Sequence, residues 1–503
     1  MEPTKFSNKI LFLGFDLSTQ SLKALLMNDQ FKVILLEIVT FSKDLPHYKT
    51  YNGVLHLDTG EIVSPTLMFV EALDLILEKI KASSIPLEHI VALSGSGQQH
   101  GSVYWNHESE KFLSSLNPAE KLHPQFSKNN VFSKEYSPLW LDSTTSKYCK
   151  ELEEKFGAEK LCEITGSKAF ERFTGNQIKK MFIEKNEIYV KTDHISLISS
   201  FMAEVFLGKF ASPDYSDASG MNIFDINNKR WNETLMTICG GPSLQSKLMN
   251  PVPSYACLGR IHSYFVKRYG FNEECKVIVF SGDNPCSLVG SGILNPGVVG
   301  ISLGTSDTIF SLIEKNEAKC NFDGHLFVSP TNENQYMMMA CMKNGALIRE
   351  KFKKLHAYDN WEDVDKFLNE SNPGNNGIIG FFFDYPEISP AINVENFSLF
   401  QGKNGEEINI EKLKNEEIIR AVMESKAFLL KLALEKFGIK HIEKVVVTGG
   451  SSKCKGLIQI ISDVFNCEIY KLENMETAAI GAAFRAFHGY DAKEMGNIWK
   501  FKI

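Results

Sequence analysis

The sequence predicts an α/β fold built from two halves, on three observations. The chain opens with a strand meander, strands and helices alternate from residue 276 onward, and one strand–turn–strand pattern occurs twice. The repeat sets Phe15-Asp16-Leu17-Ser18-Thr19-Gln20-Ser21 beside Ile301-Ser302-Leu303-Gly304-Thr305-Ser306-Asp307. Placing Leu17-Ser18-Thr19 on Leu303-Gly304-Thr305 also brings the flanking apolar residues into step. Either the chain is duplicated or two hairpins match by chance. Under duplication the first half ends at about residue 290 and carries an insertion at 100–275, and the second spans about 295–490.

The elements follow in order. Residues 10–41 read as three strands, ILFLGFD, LKALLMN and KVILLEIVTF, with turns at Ser18–Ser21 and Asn28-Asp29-Gln30. A helical period starts at Ser64-Pro65, an N-cap and N1 pair, with Leu67, Val70, Leu73, Leu77 and Ile80 on one face. IVALSGSG at 90–97 is a strand running into a small-residue turn. From Lys276 come VIVFSGDNP, GVVGISLGTSDTIFSLI, a short apolar run at Ile378–Phe383 that suits a buried strand, a helix at Asn415–Phe437, KVVVTGGSS, a helix at Lys455–Phe465, CEIYKL, and an Ala-rich helix at Thr477–Phe487.

Composition bounds the function. The 503 residues include 54 Lys+Arg and 61 Asp+Glu, a net charge of −7, with 43% apolar residues. That is an ordinary globular balance, long enough for about two to four domains. It lacks the basic footprint that neutralising phosphates along DNA or RNA requires, so no nucleic-acid partner is expected. The ten cysteines contain no C-x-x-C pair and point to neither a disulfide framework nor a zinc site. An acidic residue at position 2 and an immediate strand pattern are unlike a signal peptide, and no apolar run reaches membrane-spanning length. The expectation is a cytoplasmic protein without a membrane partner.

Four segments carry chemistry. Gly14-Phe15-Asp16-Leu17-Ser18-Thr19 puts a carboxylate at a strand end, followed by hydroxyls and backbone N–H groups, with Lys23 nearby. Such a turn can cradle phosphate oxygens while the carboxylate holds Mg²⁺ through water, although polar residues are equally at home in a plain hairpin. Gly304-Thr305-Ser306 repeats the design with a glycine that lets a phosphate approach the backbone. Lys444–Thr448 is a buried-strand run ending in Gly449-Gly450, where α/β sheets place ligands or simply turn. Val277–Ser281 delivers Asp283 and Asn284 to the end of a strand, where Asp283 can take a proton from a hydroxyl or merely cap the following helix. Gln98-Gln99-His100-Gly101 adds amides and an imidazole suited to a polyhydroxy ligand. There is no G-x-x-x-x-G-K-[ST] sequence, and Gly95-Ser-Gly97-Gln-Gln-His-Gly101 has one residue too many for a dinucleotide fingerprint.

Taken together, the ordered set resembles the FGGY carbohydrate kinase family. The resemblance runs from Phe12 to about Gly489 through FDLSTQSLK, ALSGSGQQHGSVYW (92–105), WLDSTT (140–145), TGSKAFERFTGNQI (165–178), DYSDASGMN (214–222), SGDNP (281–285), SLGTSDT (302–308), KNGALIREK (343–351) and TGGSS (448–452). GQQHGSVYW and ERFTGNQI resemble the branch that acts on D-xylulose. The resemblance implies a two-domain ribonuclease-H-like, actin-like ATPase fold with the active site in the interdomain cleft, an N-terminal domain at 1–292 for the sugar and a C-terminal domain at 293–503 for the nucleotide. It implies ATP-dependent phosphorylation of D-xylulose at O5, with Mg²⁺ accompanying ATP. Asp283 matches the family's catalytic base, and His100, Arg172, Asp283 and Asn284 match sugar-binding positions. Asp16 matches the Mg²⁺-positioning carboxylate. Gly304, Thr305, Trp361, Gly449, Gly450 and Lys453 match nucleotide contacts.

Three departures stand out. Ser143-Thr144-Thr145 follows Trp140-Leu141-Asp142 where many bacterial relatives carry an arginine. A nucleotide-loop asparagine falls at Lys453 or Cys454. A Glu-Arg-x-x-Pro element is replaced around Phe383-Asp384-Tyr385-Pro386, a stretch left without a role. The competing readings are a kinase for ribulose, glycerol or sedoheptulose, and an actin- or Hsp70-like nucleotide-driven binding protein.

Overall fold

Seven consecutive buried residues, LFLGFDL, form β1 (Leu11–Leu17). They are buried on both faces because the strand lies mid-sheet, paired antiparallel with β2 (Ser21–Asn28) and parallel with β4 (Ile90–Gly97). β3 (Val33–Thr40) pairs with β2 and completes the meander. Beyond β4 come β6 (Lys276–Ile278), parallel to it, and β5 (Cys257–Arg260) at the far edge, while β7 (Ser281–Gly282) pairs with the end of β4. The sheet order is therefore β5-β6-β4-β1-β2-β3. The continuous strand expected at Val277–Ser281 is broken at Val279-Phe280. There Val279 turns its carbonyl to Ser94 Oγ and Arg485 and its N–H to Ala256 O, so it leaves the ladder.

These strands belong to one of two units into which the chain divides: Met1–Gly292 with Phe327–Glu333 and Glu476–Ile503, and Ile293–Leu326 with Asn334–Met475. The computed structural model describes residues 10–392, 396–402, 404–472 and 476–495. Among the described residues no helix is long and apolar enough to cross a membrane.

In the first unit α1 (Thr66–Ala82) buries Phe69, Leu73, Ile76, Leu77 and Ile80 at helical spacing against β2 and β3. Each fully buried side chain of this size contributes about 1.5–3 kcal/mol, so Leu73→Ala would cost about 2–5 kcal/mol once its cavity is included. The helix starts one residue later than its sequence signal. Ser64 and Pro65 end a short strand, Ile62–Pro65, whose Ser64 Oγ donates to Gly53 O at 2.5 Å, so Pro65 takes the N-cap place. Helices α2 (Thr174–Glu184), α3 (Ile198–Leu207), α4 (Tyr215–Ala218) and α5 (Asp283–Gly290) complete the parts of this unit that shape its site.

The second unit repeats the plan. β8 (Val298–Leu303) pairs antiparallel with β9 (Asp307–Glu314), which pairs antiparallel with β10 (Gln335–Met342). On its other side β8 pairs parallel with β11 (Lys444–Thr448), which pairs parallel with β12 (Glu468–Lys471). The order β10-β9-β8-β11-β12 matches β3-β2-β1-β4-β6 in sequence and in strand sense. Helices α6 (Ala346–His356), α7 (Trp361–Glu370), α8 (Asn415–Lys436) and α9 (Lys455–Phe465) belong to it. The run Ile378–Phe383 is a strand but not a fully buried one: Ile379 and Phe381 are 50% and 43% exposed while their neighbours are buried, the alternation of a one-faced strand.

The last helix, α10 (Thr477–Met495), returns to the first unit. It crosses α5 where Gly481 and Gly290 face one another, so close that a Cβ at Gly481 would lie 1.8 Å from Cys286 O. Only glycine admits that approach. Ala486 joins Phe12, Ala92 and Ile278 in a buried cluster on the sheet.

Candidate active site

Strand register gathers the first unit's chemistry. Asp16 pairs with Ser96 and Ser96 with Ser281; Leu17 pairs with Gly97 and Gly97 with Gly282. Three neighbouring strands thus end level, and Asp16, Gln98-Gln99-His100 and Asp283 emerge at their carboxyl ends, where α/β sheets place ligands. Gln98 N donates to Leu17 O at 2.9 Å, fixing the turn after β4 beside the turn after β1.

Asp16 is 1% exposed and accepts from Ser18 Oγ at 2.6 Å and Ser96 Oγ at 2.8 Å. Lys23 Nζ stands 3.5 Å from its Oδ2 and 2.5 Å from Glu476 Oε2. Burial opposes the lysine's charge, but Asp16 and Glu476 together hold its pKa above the ordinary value.

Asp283 opens α5, partly exposed to solvent. Its Oδ1 accepts from Gln99 N at 3.3 Å and from Asn284 N and Nδ2 at 2.9 and 3.1 Å. Burial, and then the charge of Asp16, push its pKa up to about 7, against the pull of those N–H groups. Asn284 Nδ2 also donates to Gln99 Oε1 at 2.9 Å, so one amide pair brackets the carboxylate.

His100 has φ +70° and stacks on Phe173 at 4.4 Å. Its Nδ1 lies 3.0 Å from Gly220 O, an acceptor only, so Nδ1 carries the proton and Nε2 is the acceptor nitrogen of a neutral ring. Burial, then the nearby Arg172, depress its pKa to about 3, which keeps it neutral. Arg172 lies over Phe170 at 4.6 Å and Phe173 at 5.8 Å. The first unit thus brings Asp16, His100, Arg172, Asp283 and Asn284 into linked surroundings.

Other residues here carried no individual role in the sequence. Asp217, in DYSDASGMN, accepts from Ser199 Oγ at 2.5 Å and Gln99 Nε2 at 3.5 Å; burial and then Asp214 push it up to about 8. Asp214 caps α4 through Asp217 N and binds Ser281 Oγ and Arg485. Thr19 Oγ1 donates to Gln98 Oε1 and accepts from Trp140 Nε1, which ties WLDSTT to the first turn. The signal for all of them was the quoted motif; its partners lie far off in sequence.

In the second unit Gly304-Thr305-Ser306 joins β8 to β9, and Gly449-Gly450 follows β11. Gly449 has φ +91°, and a Cβ there would lie 2.5 Å from Leu303 O, so the two turns touch through a glycine that cannot be replaced without strain. Nothing crowds Gly450, and Lys453 is exposed. Trp361 begins α7 with Lys353 Nζ 5.4 Å from its ring. One turn on, Asp365 Oδ1 accepts from Gly456 N at 2.7 Å, which links that helix to the start of α9 beyond Lys453. The stretch around Phe383–Pro386 also gains a structural role. Asn344 Oδ1 accepts from Asp384 N and Tyr385 N at 2.9 and 3.1 Å, and buried Glu387 accepts from Lys343 N and Asn344 Nδ2 at 2.5 and 2.9 Å.

Two copies of one sheet topology, each ending in a polar turn, make up this chain. Residues 136–290 match the N-terminal domain, and residues 299–490 the C-terminal domain, of the FGGY family of carbohydrate kinases. The chain belongs to that family, and it has its two-domain ribonuclease-H-like, actin-like fold. Among similar proteins, xylulose kinase of Rattus norvegicus is 42% identical over 482 residues, covering 95% of this chain and 88% of the relative. Xylulose kinase 2 of Arabidopsis thaliana is 40% identical over 500 residues, covering 97% and 88%. A ligand-bound xylulose kinase from Lactobacillus acidophilus shares the fold with a TM-score of 0.78 at 16% identity, over 97% of this chain and 90% of that one.

Proposed function

We propose that this carbohydrate kinase transfers the γ-phosphoryl group of ATP to O5 of D-xylulose, giving D-xylulose 5-phosphate and ADP. The observation that carries this reading is Asp283 with its bracketing amides, in a chain more than 40% identical to a xylulose kinase. Asp283 accepts the O5 proton. A carboxyl held near pH 7 takes up that proton better than an ordinary aspartate, and because phosphoryl transfer is loose the proton can leave late.

The sugar is held by His100, Arg172 and Asn284. Neutral His100 offers Nε2 as an acceptor to a sugar hydroxyl, Arg172 offers donors, and Asn284 keeps its amide between Asp283 and Gln99. On this reading residues 1–292 supply the sugar-binding domain, joined by 327–333 and 476–503, and the rest of 293–503 the nucleotide-binding one, with Gly304, Thr305, Trp361, Gly449, Gly450 and Lys453 toward ATP.

The residues fit Mg²⁺ accompanying ATP. Among the described residues no group of three or more His, Cys, Asp or Glu could form a protein cage, while Asp16 is a single buried carboxylate oriented by two hydroxyls. One carboxylate plus substrate phosphates and water is the usual Mg²⁺ arrangement. When bound, the ion neutralises charge on the phosphate oxygens. The proposed setting is the cytoplasm, where ATP is supplied.

A coupled ADP-release assay with D-xylulose, D-ribulose, L-xylulose and glycerol tests the reading. D-xylulose should give the highest kcat/KM. Faster turnover of another compound would replace the substrate, and ATP hydrolysis indifferent to every sugar would overturn the kinase assignment.

A further inference from the structure

One side chain of the second unit reaches both glycine-bearing turns. Arg349, on α6, donates from Nη1 and Nη2 to Asp307 Oδ2 and Oδ1 at 2.6 and 2.7 Å, and from Nε to Ser451 Oγ at 3.3 Å. Asp307 is the residue directly after Gly304-Thr305-Ser306, and Ser451 directly follows Gly449-Gly450. α6 is itself hooked to the first of these turns, because Ala346 N donates to Gly304 O at 3.1 Å.

The side chains of Arg349 and Asp307 are 0% and 1% exposed. Such a pair is a poor source of stability, since losing hydration offsets most of the attraction and an apolar pair of the same shape does as well. A bidentate guanidinium does fix geometry. The surroundings complete the neutralisation: Lys426, also buried, donates from Nζ to Phe382 O at 2.7 Å and faces the charges of Glu387 and Asp307. Asp384, the third acid acting on Lys426, is paired with Lys351 at 2.6 Å, so the charges balance, and among these side chains it is Arg349 that bonds to both turns.

We propose that Arg349 is a positioning residue for the nucleotide: it locks the turns at 304–306 and 449–452 at one spacing, so that the N–H groups of both meet the same polyphosphate. The inference rests on the reading above that these turns take ATP. It assigns Asp307 and Ser451 as the two anchor points, through their bonds to Arg349.

Three variants test it. Ser451→Ala loses one bond, Arg349→Lys keeps the charge but loses the fork, and Asp307→Asn/Arg349→Met removes both charges without leaving either one buried alone. Each is measured by steady-state kinetics with ATP and D-xylulose varied separately, and by hydrogen–deuterium exchange of 302–308 and 448–454 with Mg²⁺ and a non-hydrolysable ATP analogue. Arg349→Lys and the double variant should raise the ATP KM on the order of tenfold, with the D-xylulose KM and kcat within about twofold, and Ser451→Ala should do so by a smaller factor. The analogue should then protect one turn without the other. Unchanged KM values with only a smaller active fraction would assign Arg349 to folding alone and overturn the proposal. If the double variant does not fold, the two single variants decide in the same way. Wild-type protein whose turns gain no protection from the analogue would instead overturn the ATP reading of the turns themselves, a result distinct from any effect of Arg349.

Discussion

At the end of β1 stands Asp16, held by two hydroxyls with a lysine 3.5 Å away; at the matching place on β8 stands Ser302. The second hairpin has its acid later, at Asp307, where Arg349 clamps both oxygens. The hairpins also close differently: Leu17 pairs with Leu22 across four residues, Leu303 with Asp307 across three. One sheet plan therefore carries two electrostatic ends. The first keeps two carboxylates, Asp16 and Asp283, which the proposed function gives to an ion and a proton; the second pairs its acid with Arg349, which on the same proposal leaves backbone N–H groups for an anion.

The contrast is broken most severely by Asp283→Ala. Losing a positioned base lowers kcat by about 10²–10⁴-fold. Circular dichroism and thermal unfolding should be nearly unchanged, because burial and the Asp16 charge already oppose this carboxylate in the folded state. Near-normal turnover in this variant would remove Asp283 from the role of base. Asp16→Asn comes next: kcat should fall by about 10–10²-fold and the Mg²⁺ requirement should rise, as one charge on the ion is lost. An unchanged Mg²⁺ dependence would assign Asp16 to the Lys23 ion pair alone.

How far these roles were legible depends on how local their cause is. The strands of both hairpins, the Gly-Gly turn and Asp283 at a strand end were readable because alternating hydrophobicity and turn residues act within a few positions. The Val279-Phe280 break was not, since its cause is Ser94, Ala256 and Arg485, remote in sequence. The same holds for the return of α10 to the first unit, and for Asp217, Asp307 and Arg349, whose meaning lies in partners 18 to 118 residues away. Arg172 and Trp361 acquire roles in the sequence only through family resemblance, whereas the imidazole of His100 already reads as suited to a polyhydroxy ligand. The structure adds the Gly220 carbonyl, which sets the imidazole's tautomer, and the phenyl rings under the guanidinium.

Two further substitutions separate the halves by which substrate they affect. Gly449→Ala forces a side chain into φ +91° and against Leu303 O, a strain of about 1–3 kcal/mol, and should raise the ATP KM on the order of tenfold while sparing the sugar KM. His100→Ala removes an acceptor and should raise the D-xylulose KM by about fivefold to tenfold with little change for ATP. Equal effects on both substrates in either variant would erase the division between the two ends.

The smallest expected effect is on pH, and it tests whether the first unit's acids act on one another. The base form of Asp283 is the carboxylate, so kcat/KM, which reports the free enzyme, should rise with pH and level off above about 7. Burial raises that pKa most and the Asp16 charge comes second. Replacing Asp16 by Asn removes a negative neighbour, which favours ionised Asp283, so the acid limb of the residual activity should move to lower pH. It should not reach the range of a solvent-exposed aspartate, because burial persists. A limb that stays in place would mean that the two carboxylates do not sense one another in solution. A limb that moves upward would exclude direct action of the Asp16 charge on the titrating group, because losing a negative neighbour lowers the pKa of an acid and of a cation alike.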